Sequence, residues 1–288
     1  MHTPHTLRLR GREFPPGDFA VMAVVNRTPD SFFDQGRTYG FGAALDAVDE
    51  AVRAGADIVD IGGVKAGPGD TVDTAEEIRR VAGLVAAVRE AHPGLVISVD
   101  TWRAEVGEVV AQAGADLLND TWGGPDPRLA EVAAAHGIGL VCAHAGRAEP
   151  RTRPHRVGYD DVVADVVAHV TALAARAVRA GVRADAVLID PAHDFGKNTW
   201  HSLAVSRRLG ELVATGHPVL VAVSNKDFVG ETLGGLPVTE RHAGTLATLA
   251  VSAWQGARVF RVHDAASARA ALAAVTRLRA AAASHVAG

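Results

Sequence analysis

Eight short apolar runs in the chain each stop at a residue that can hold a ligand or a proton. VMAVVN ends at Asn26, DIVDIGG carries Asp60 before its glycines, LVISVD ends at Asp100, and DLLND ends at Asn119 and Asp120. GLVCAHA contains His144, AVLIDPA contains Asp190, PVLVAVSN leads into Ser224, Asn225 and Lys226, and RVFRVHD contains Arg261 and His263. Taken singly, an Asp or Asn after a strand is a turn or helix-capping residue, and a lone His is a satisfied rim residue. Eight polar endings of eight are hard to assign to capping alone.

The chemistry of the set divides in two. Lys226, Arg261 and His263 suit an oxyanion, Arg as a planar fork and Lys as a point charge. Asp100, Asn119 and Asp190 offer acceptors and one amide, which suits a flat heterocycle bearing an amino group and ring N–H donors. The expected ligand is an aminated heterocycle with a phosphate or diphosphate tail. Asn26 adds a neutral oxygen that could join a diphosphate in holding Mg²⁺. The segment NRTPDSFFDQG after Asn26 is polar and turn-rich, and reads as a lid. The 13 histidines stand at non-ligand spacings, so a zinc triad is not expected.

Positioning these residues requires strands that all run the same way. Between the apolar runs lie Ala-rich amphipathic segments such as GAALDAVDEAVRAGA and DVVADVVAHVTALAARAVRAG, mostly ended by Gly. Alternating β and α units with strands apolar on both faces predict a parallel sheet, and eight regular units predict a single (β/α)8 TIM barrel spanning residues 1–288. An open doubly wound sheet is the alternative, but no switch in strand order is signalled. In a barrel the strands' carboxyl ends form one mouth, so the polar endings converge there, with the phosphate side at strands seven and eight. TLRLRGREFPPG reads as a short hairpin under the barrel bottom.

Composition narrows the partners. A hydrophobic share of 48% is that of a core-former, and a net charge of −4 from dispersed residues argues against nucleic-acid or anionic-membrane binding. MHTPHTLRLRGREFPPG lacks a secretory apolar core and no run reaches membrane-spanning length, so a cytoplasmic location is expected. Cys142 is the only cysteine, which excludes an internal disulfide. Within GLVCAHA it reads as a small buried apolar residue.

The segments NRTPDSFFDQG, ADIVDIGG, ISVDTWRAEV, GADLLND, LIDPAHDFGK, the Ser-x-Lys of VSNKDFVG, and FRVHD together resemble the dihydropteroate synthase family over nearly the whole chain. The resemblance implies a transferase of folate biosynthesis, in which the amine of p-aminobenzoate attacks the methylene of a dihydropterin diphosphate and expels diphosphate. It implies that Asp100, Asn119 and Asp190 hold the pterin and that Lys226 contacts its ring system. Asn26, Arg261 and His263 would bind the diphosphate with Mg²⁺, with Asn26 on the metal, and Asp34 would stabilise the electron-poor methylene. Asp34 and Lys226 are thus the expected catalytic pair. A homodimer through the late helices and sulfonamide or sulfone ligands are implied as well.

The departures from the family pattern fall in one half of the site. Glu-Ser-Thr-Arg-Pro-Gly is replaced by Val64-Lys65-Ala66-Gly67-Pro68-Gly69, so Ala66 and Gly67 stand for a Thr and an Arg. Ser-Arg-Lys-Ser becomes Ser224-Asn225-Lys226-Asp227, which puts Asp227 where the family's Ser receives the benzoate carboxylate. Two like charges about 4 Å apart repel by roughly 1 kcal/mol in water and more in a dry pocket. Pro-Gly-Ile-Gly-Phe-Gly-Lys becomes Pro191-Ala192-His193-Asp194-Phe195-Gly196-Lys197. These changes resemble a diverged second copy of the synthase found in some actinobacteria, and imply an altered p-aminobenzoate site with synthase activity weak or lost. An active synthase with compensating loops is the second reading. A pterin-binding methyl-transfer domain acting with a corrinoid partner is the third, and Lys226 with Arg261-x-His263 argues against it.

Overall fold

The computed structural model describes residues 5–28, 38–146, 148–152 and 158–286, without the side chains of the last five. Strands β1 (Leu7–Leu9) and β2 (Arg12–Phe14) form an antiparallel hairpin. They are followed by β3 (Ala20–Asn26), β4 (Ile58–Gly62), β5 (Val96–Asp100), β6 (Leu117–Asp120), β7 (Gly139–Ala143), β8 (Val187–Asp190), β9 (Leu220–Val221) and β10 (Val259–Val262). Helices α1 (Phe41–Arg53), α2 (Thr74–Ala91), α3 (Ala104–Gln112), α4 (Arg128–Ala135) and α5 (Val162–Ala180) alternate with the first of these. The later helices are α6 (Thr199–Arg207), α7 (Leu209–Val213), α8 (Asp227–Thr232), α9 (His242–Gln255) and α10 (Ala265–Val286).

The eight long-sheet strands pair in parallel in the order β8-β7-β6-β5-β4-β3-β10-β9, and a parallel bridge between Ile189 and Val219 brings the two ends of the sheet together. The result is the expected (β/α)8 barrel, as read from the alternating pattern. β9 is the exception in length: PVLVAVSN was expected to pair throughout, but only Leu220 and Val221 do. Beyond them the chain turns out of the sheet, and Asn225 takes a left-handed φ of 55° with its N–H donated to Thr245 Oγ1.

Period-two alternation sorts the buried apolar strand residues between two cores. Val21, Val59, Ile97, Leu118, Ile189 and Phe260 point outward into one cluster shared with the helices. Met22, Ile58, Val96, Leu117, Leu188 and Val259 point inward and meet Leu7, Leu9 and Phe14 of the hairpin. The hairpin is therefore the barrel's bottom plug. Its tight turn uses Arg10 and Gly11 at φ 47° and 69°, and its outward arginines reach carboxylates on the rim: Arg8 to Asp185, Arg10 to Asp116 and Arg12 to Asp57. A side chain at Gly139 would lie 2.7 Å from both the Leu9 Cδ2 and the Ala186 carbonyl oxygen, so the plug fits only against glycine there. Cys142 faces the outer core, where burial pushes its thiol up to about 12.

The same inward parity carries polar residues upward. Two residues beyond Ile58 is Asp60, beyond Val96 is Ser98 and then Asp100, beyond Leu117 is Asn119, beyond Leu188 is Asp190, and beyond Val259 is Arg261. The barrel is thus apolar at the bottom and charged at the top. Leu9→Ala should cost about 2–5 kcal/mol of unfolding free energy, since it opens a cavity between plug and strands. Arg8→Ala should cost under about 1 kcal/mol. Urea denaturation of the two variants checks the difference.

Candidate functional site

Asp60 lies fully buried at the centre of the polar floor. It accepts hydrogen bonds from Ser98 Oγ at 2.5 Å, Asn119 Nδ2 at 3.1 Å and Arg261 Nε at 2.6 Å. Arg261 also donates through a terminal nitrogen to Asp100 Oδ2 at 3.0 Å, and Asp100 Oδ1 accepts from Thr121 Oγ1 at 3.2 Å. Burial opposes the Arg261 charge, but Asp60 and Asp100 beside it outweigh that and hold the guanidinium cationic. Burial pushes Asp100 up to about 7 despite the pull of Arg261. Asp190 is raised as well by burial, while its Oδ1 accepts the Ala192 amide at 2.7 Å.

Above this floor is an inner chamber of about 80 Å³ lined by Asn26, Asp100, Asp190, Lys226, Arg261 and His263. Six of the seven site residues expected at one mouth therefore share it. The seventh, Asn119, is buried below and is not part of the chamber wall; its Nδ2 serves Asp60, while its buried Oδ1 has no hydrogen-bond partner among the described residues. His263 Nδ1 sits 2.9 Å from Ser224 Oγ, which leaves Nε2 as its other donor or acceptor. Asp34, expected in the first loop, lies outside the described residues.

Lys226 is the N-cap residue of α8, and its Nζ donates to the His193 carbonyl at 2.5 Å while lying 4.9 Å from the Phe195 ring centre. Burial lowers its pKa. The loop after β8 that supplies those contacts is contorted: Ala192, Asp194 and Gly196 all have left-handed φ, at 48°, 67° and 58°. A side chain at position 196 would lie 2.3 Å from the Ala145 carbonyl oxygen, so only glycine fits. Lys197 holds the loop in this shape. Its buried Nζ reaches the carbonyls of His144, Ala192 and Phe195 at 2.8, 3.2 and 3.0 Å, and lies 2.7 Å from His144 Nδ1. Burial lowers Lys197 to about 7 and His144 to about 4, so the imidazole is a neutral wall residue between Lys197 and Asp165. His193 stacks on Phe228 with ring centres 5.2 Å apart and pairs with Ser206, away from the chamber.

Beyond Lys226 the inner chamber widens into an outer one of about 470 Å³, on whose walls Ala66, Gly67 and Asp227 all appear. The three altered positions thus share one space. Asp227 does not face it unopposed, because Arg241 donates to its Oδ1 at 2.8 Å. The loop after β4 that carries Ala66 and Gly67 is tied down by Arg80 to the Gly63 carbonyl and by Arg151 to the Gly67 and Asp70 carbonyls.

Three central residues escaped assignment from sequence. Asp60 was legible as an acid inside an apolar strand, but its three partners come from strands far away in sequence. Asp194 and Lys197 lay in a visible motif, and their roles depend on a loop shape that no local pattern encodes.

A parallel barrel whose strand ends gather cations and acidic acceptors around one chamber defines a class of small-molecule-binding barrels. The comparisons with known proteins are specific within it. Residues 22–263 match the pterin binding enzyme family. Inactive dihydropteroate synthase 2 of Mycobacterium tuberculosis is 57% identical over 268 residues, which cover 91% of this chain and 84% of that protein. Dihydropteroate synthase of Bacillus subtilis is 38% identical over 246 residues, covering 85% and 83%. The crystal structure of Yersinia pestis dihydropteroate synthase with a sulfonamide drug complex superposes with a TM-score of 0.90 at 34% identity, covering 96% of this chain and 99% of that one. This chain belongs to the dihydropteroate synthase family of pterin-binding barrels.

The floor predicts its own energetics. Asp60→Ala leaves the Arg261 guanidinium buried with one carboxylate and should cost about 3–5 kcal/mol, of which Asp60→Ala combined with Arg261→Met should recover part. A double-mutant cycle by urea denaturation checks it.

Proposed function

We propose that the inner chamber binds a dihydropterin diphosphate and that condensation with p-aminobenzoate is weak or lost. The observation that carries the first half is the joining of Asp100 and Asp190 to Asn26, Arg261 and His263 in one chamber. The carboxylates accept the ring N–H and amino donors, and Asn119 supports them from below by binding Asp60. Lys226, fixed over Phe195, contacts the ring system. Arg261 and His263, with Asn26, meet the diphosphate. Arg261 cannot be an isolated clamp, since it also neutralises Asp60 and Asp100, so Arg261→Ala removes floor and anion site together.

Asn26 is the residue that would hold Mg²⁺. Its Oδ1 lies 3.5 Å from where a side chain at Gly62 would begin, so the glycine leaves room beside this neutral oxygen. Among the described residues no cluster of three acidic, His or Cys side chains could hold a metal. When bound, the metal supplies charge neutralisation on the departing diphosphate. Asp34 is proposed to stabilise the methylene from the first loop.

The second half rests on the outer chamber. Ala66 and Gly67 offer no side-chain donor, and Asp227 adds a carboxylate where the substrate's carboxylate belongs. The name of the Mycobacterium tuberculosis relative agrees. We also propose a homodimer through α9 and α10, which pack together and expose Val251, Trp254 and Leu278. Sulfonamide or sulfone ligands are proposed for the outer chamber. Among the described residues no helix is long and apolar enough to cross a membrane, and a cytoplasmic location is proposed.

Incubation with dihydropterin diphosphate and Mg²⁺, with and without p-aminobenzoate, tests the reading through diphosphate release and dihydropteroate formation. Dihydropteroate should form feebly or not at all; turnover of order 1 s⁻¹ or faster would overturn the reading. Pterin binding should follow Asp100. Its raised pKa of about 7 means that the acceptor form is scarce below and complete above that value. Affinity for a hydroxymethyl-substituted pterin should therefore rise roughly tenfold between about pH 6 and pH 8 and lose that dependence in Asp100→Asn, as read by calorimetry.

A further inference from the structure

The outer chamber's acids lie apart from most of its cations. Lys65, Lys226 and Arg261 stand on wall shared with the inner chamber, whereas Asp194, Asp227 and Glu231 line only the outer part, where the one lysine, Lys197, turns its Nζ to three carbonyls. Between the two zones are aromatic faces: Phe195 meets Trp122 edge-on with ring centres 4.9 Å apart, and Phe228 lies further out. A flat arene extending outward from the pterin site would have its amine at the inner end and its opposite substituent among carboxylates.

Asp194 is decisive. Its Oδ2 accepts the Phe228 N–H at 3.3 Å, at the start of α8 where the family receives the benzoate carboxylate, and its Oδ1 pairs with Ser202 Oγ at 3.1 Å. The chain's own carboxylate already stands there. It does so at a left-handed φ of 67°, a conformation that costs a side chain strain and costs glycine none. Its hydrogen-bond partners are neutral, and burial raises its carboxyl above the usual range although the Lys226 charge pulls it down, so an arriving cation would relieve the remaining cost of its charge. The cations nearby have hydrogen-bond partners of their own: Lys197 three carbonyls, Lys226 the His193 carbonyl, Arg241 Asp227, and Arg261 Asp60 and Asp100.

We infer that the outer chamber selects an aromatic amine whose distal substituent is cationic or a neutral hydrogen-bond donor, and rejects one whose substituent is anionic. The inference rests on the pterin reading for the position of the amine, but the charge preference is a property of the outer chamber alone. Calorimetry with 4-aminobenzamidine, 4-aminobenzamide and 4-aminobenzoate, on the full chain with and without a saturating hydroxymethyl pterin, tests it. The amidine should bind at least about tenfold more tightly than the benzoate, with the amide between. Asp194→Asn with Asp227→Asn should erase the preference, and Asp194→Gly with Asp227→Ser should move it towards the benzoate. Benzoate binding equal to or tighter than amidine binding overturns the inference. So does amidine binding that the paired substitutions leave unchanged, which would place it elsewhere on the surface. Failure of the pterin to bind would sink the functional reading instead, while the pterin-free titrations still decide the charge preference.

Discussion

A single carboxylate organises the upper barrel. Asp60, with no solvent contact, gathers a hydroxyl from β5, an amide from β6 and a guanidinium from β10. Three strands are thereby held in register at the level where apolar packing gives way to chemistry. A buried ion pair of this kind does little for net stability, because desolvation offsets most of the attraction. What it supplies is placement. Arg261 is oriented by Asp60 from one side and Asp100 from the other, so its remaining donors can only face the chamber. Asp100 in turn is held so far from water that its proton becomes exchangeable near neutrality. Loosening Asp60 would therefore alter the pterin floor, the anion site and the protonation of Asp100 at once.

The strand ends were legible because two constraints agree on them. Period-two alternation decides which residues face inward, and the rule that barrel sites sit at carboxyl ends decides which of those meet a ligand. Asn26, Asp100, Asp190 and Arg261 satisfy both, and His263 follows β10 directly, whereas Lys226 is placed by the start of α8. Asn119 satisfies the first, yet it lies one layer too deep to reach the chamber wall. Strand depth depends on the stagger of the barrel, which no single strand records. β9 shows the same limit: PVLVAVSN is as apolar as any other run, but contacts from α9 through Thr245 draw Asn225 out of the sheet. The loop after β8 was beyond local reading, since its alternating left-handed residues persist only because a buried lysine collects the carbonyls they turn inward.

The two halves of the site differ in charge. The inner half sets the acceptors Asp100 and Asp190 beside the cations Lys226 and Arg261. The outer half has lost a Thr and an Arg and gained two carboxylates, one of them at a position where glycine would be less strained. Ala66, Gly67 and Asp227 meet in the outer chamber, although Val64, Lys65 and Ala66 also line the inner one. Asp194 is anchored in the outer chamber by Ser202 and the start of α8.

The bottom plug has a bearing on how this chain is made. β1 and β2 are synthesised before the barrel strands, but Arg258, just before β10, is the residue that fastens the hairpin's carbonyls at Phe14 and Pro15. β3 likewise acquires its second neighbour only when β10 arrives. The nascent chain must carry an unsealed hydrophobic hairpin through most of its synthesis, with pairings separated by more than two hundred residues still to be made. Since Arg261 is two residues beyond Val259, which pairs with Ala20 of β3, the ion pair on the barrel floor closes in the same event that closes the barrel. Any chain that stops short of β10 is therefore left without both a fold and a binding floor, and a partly built barrel has no way to hold ligand as a folding aid.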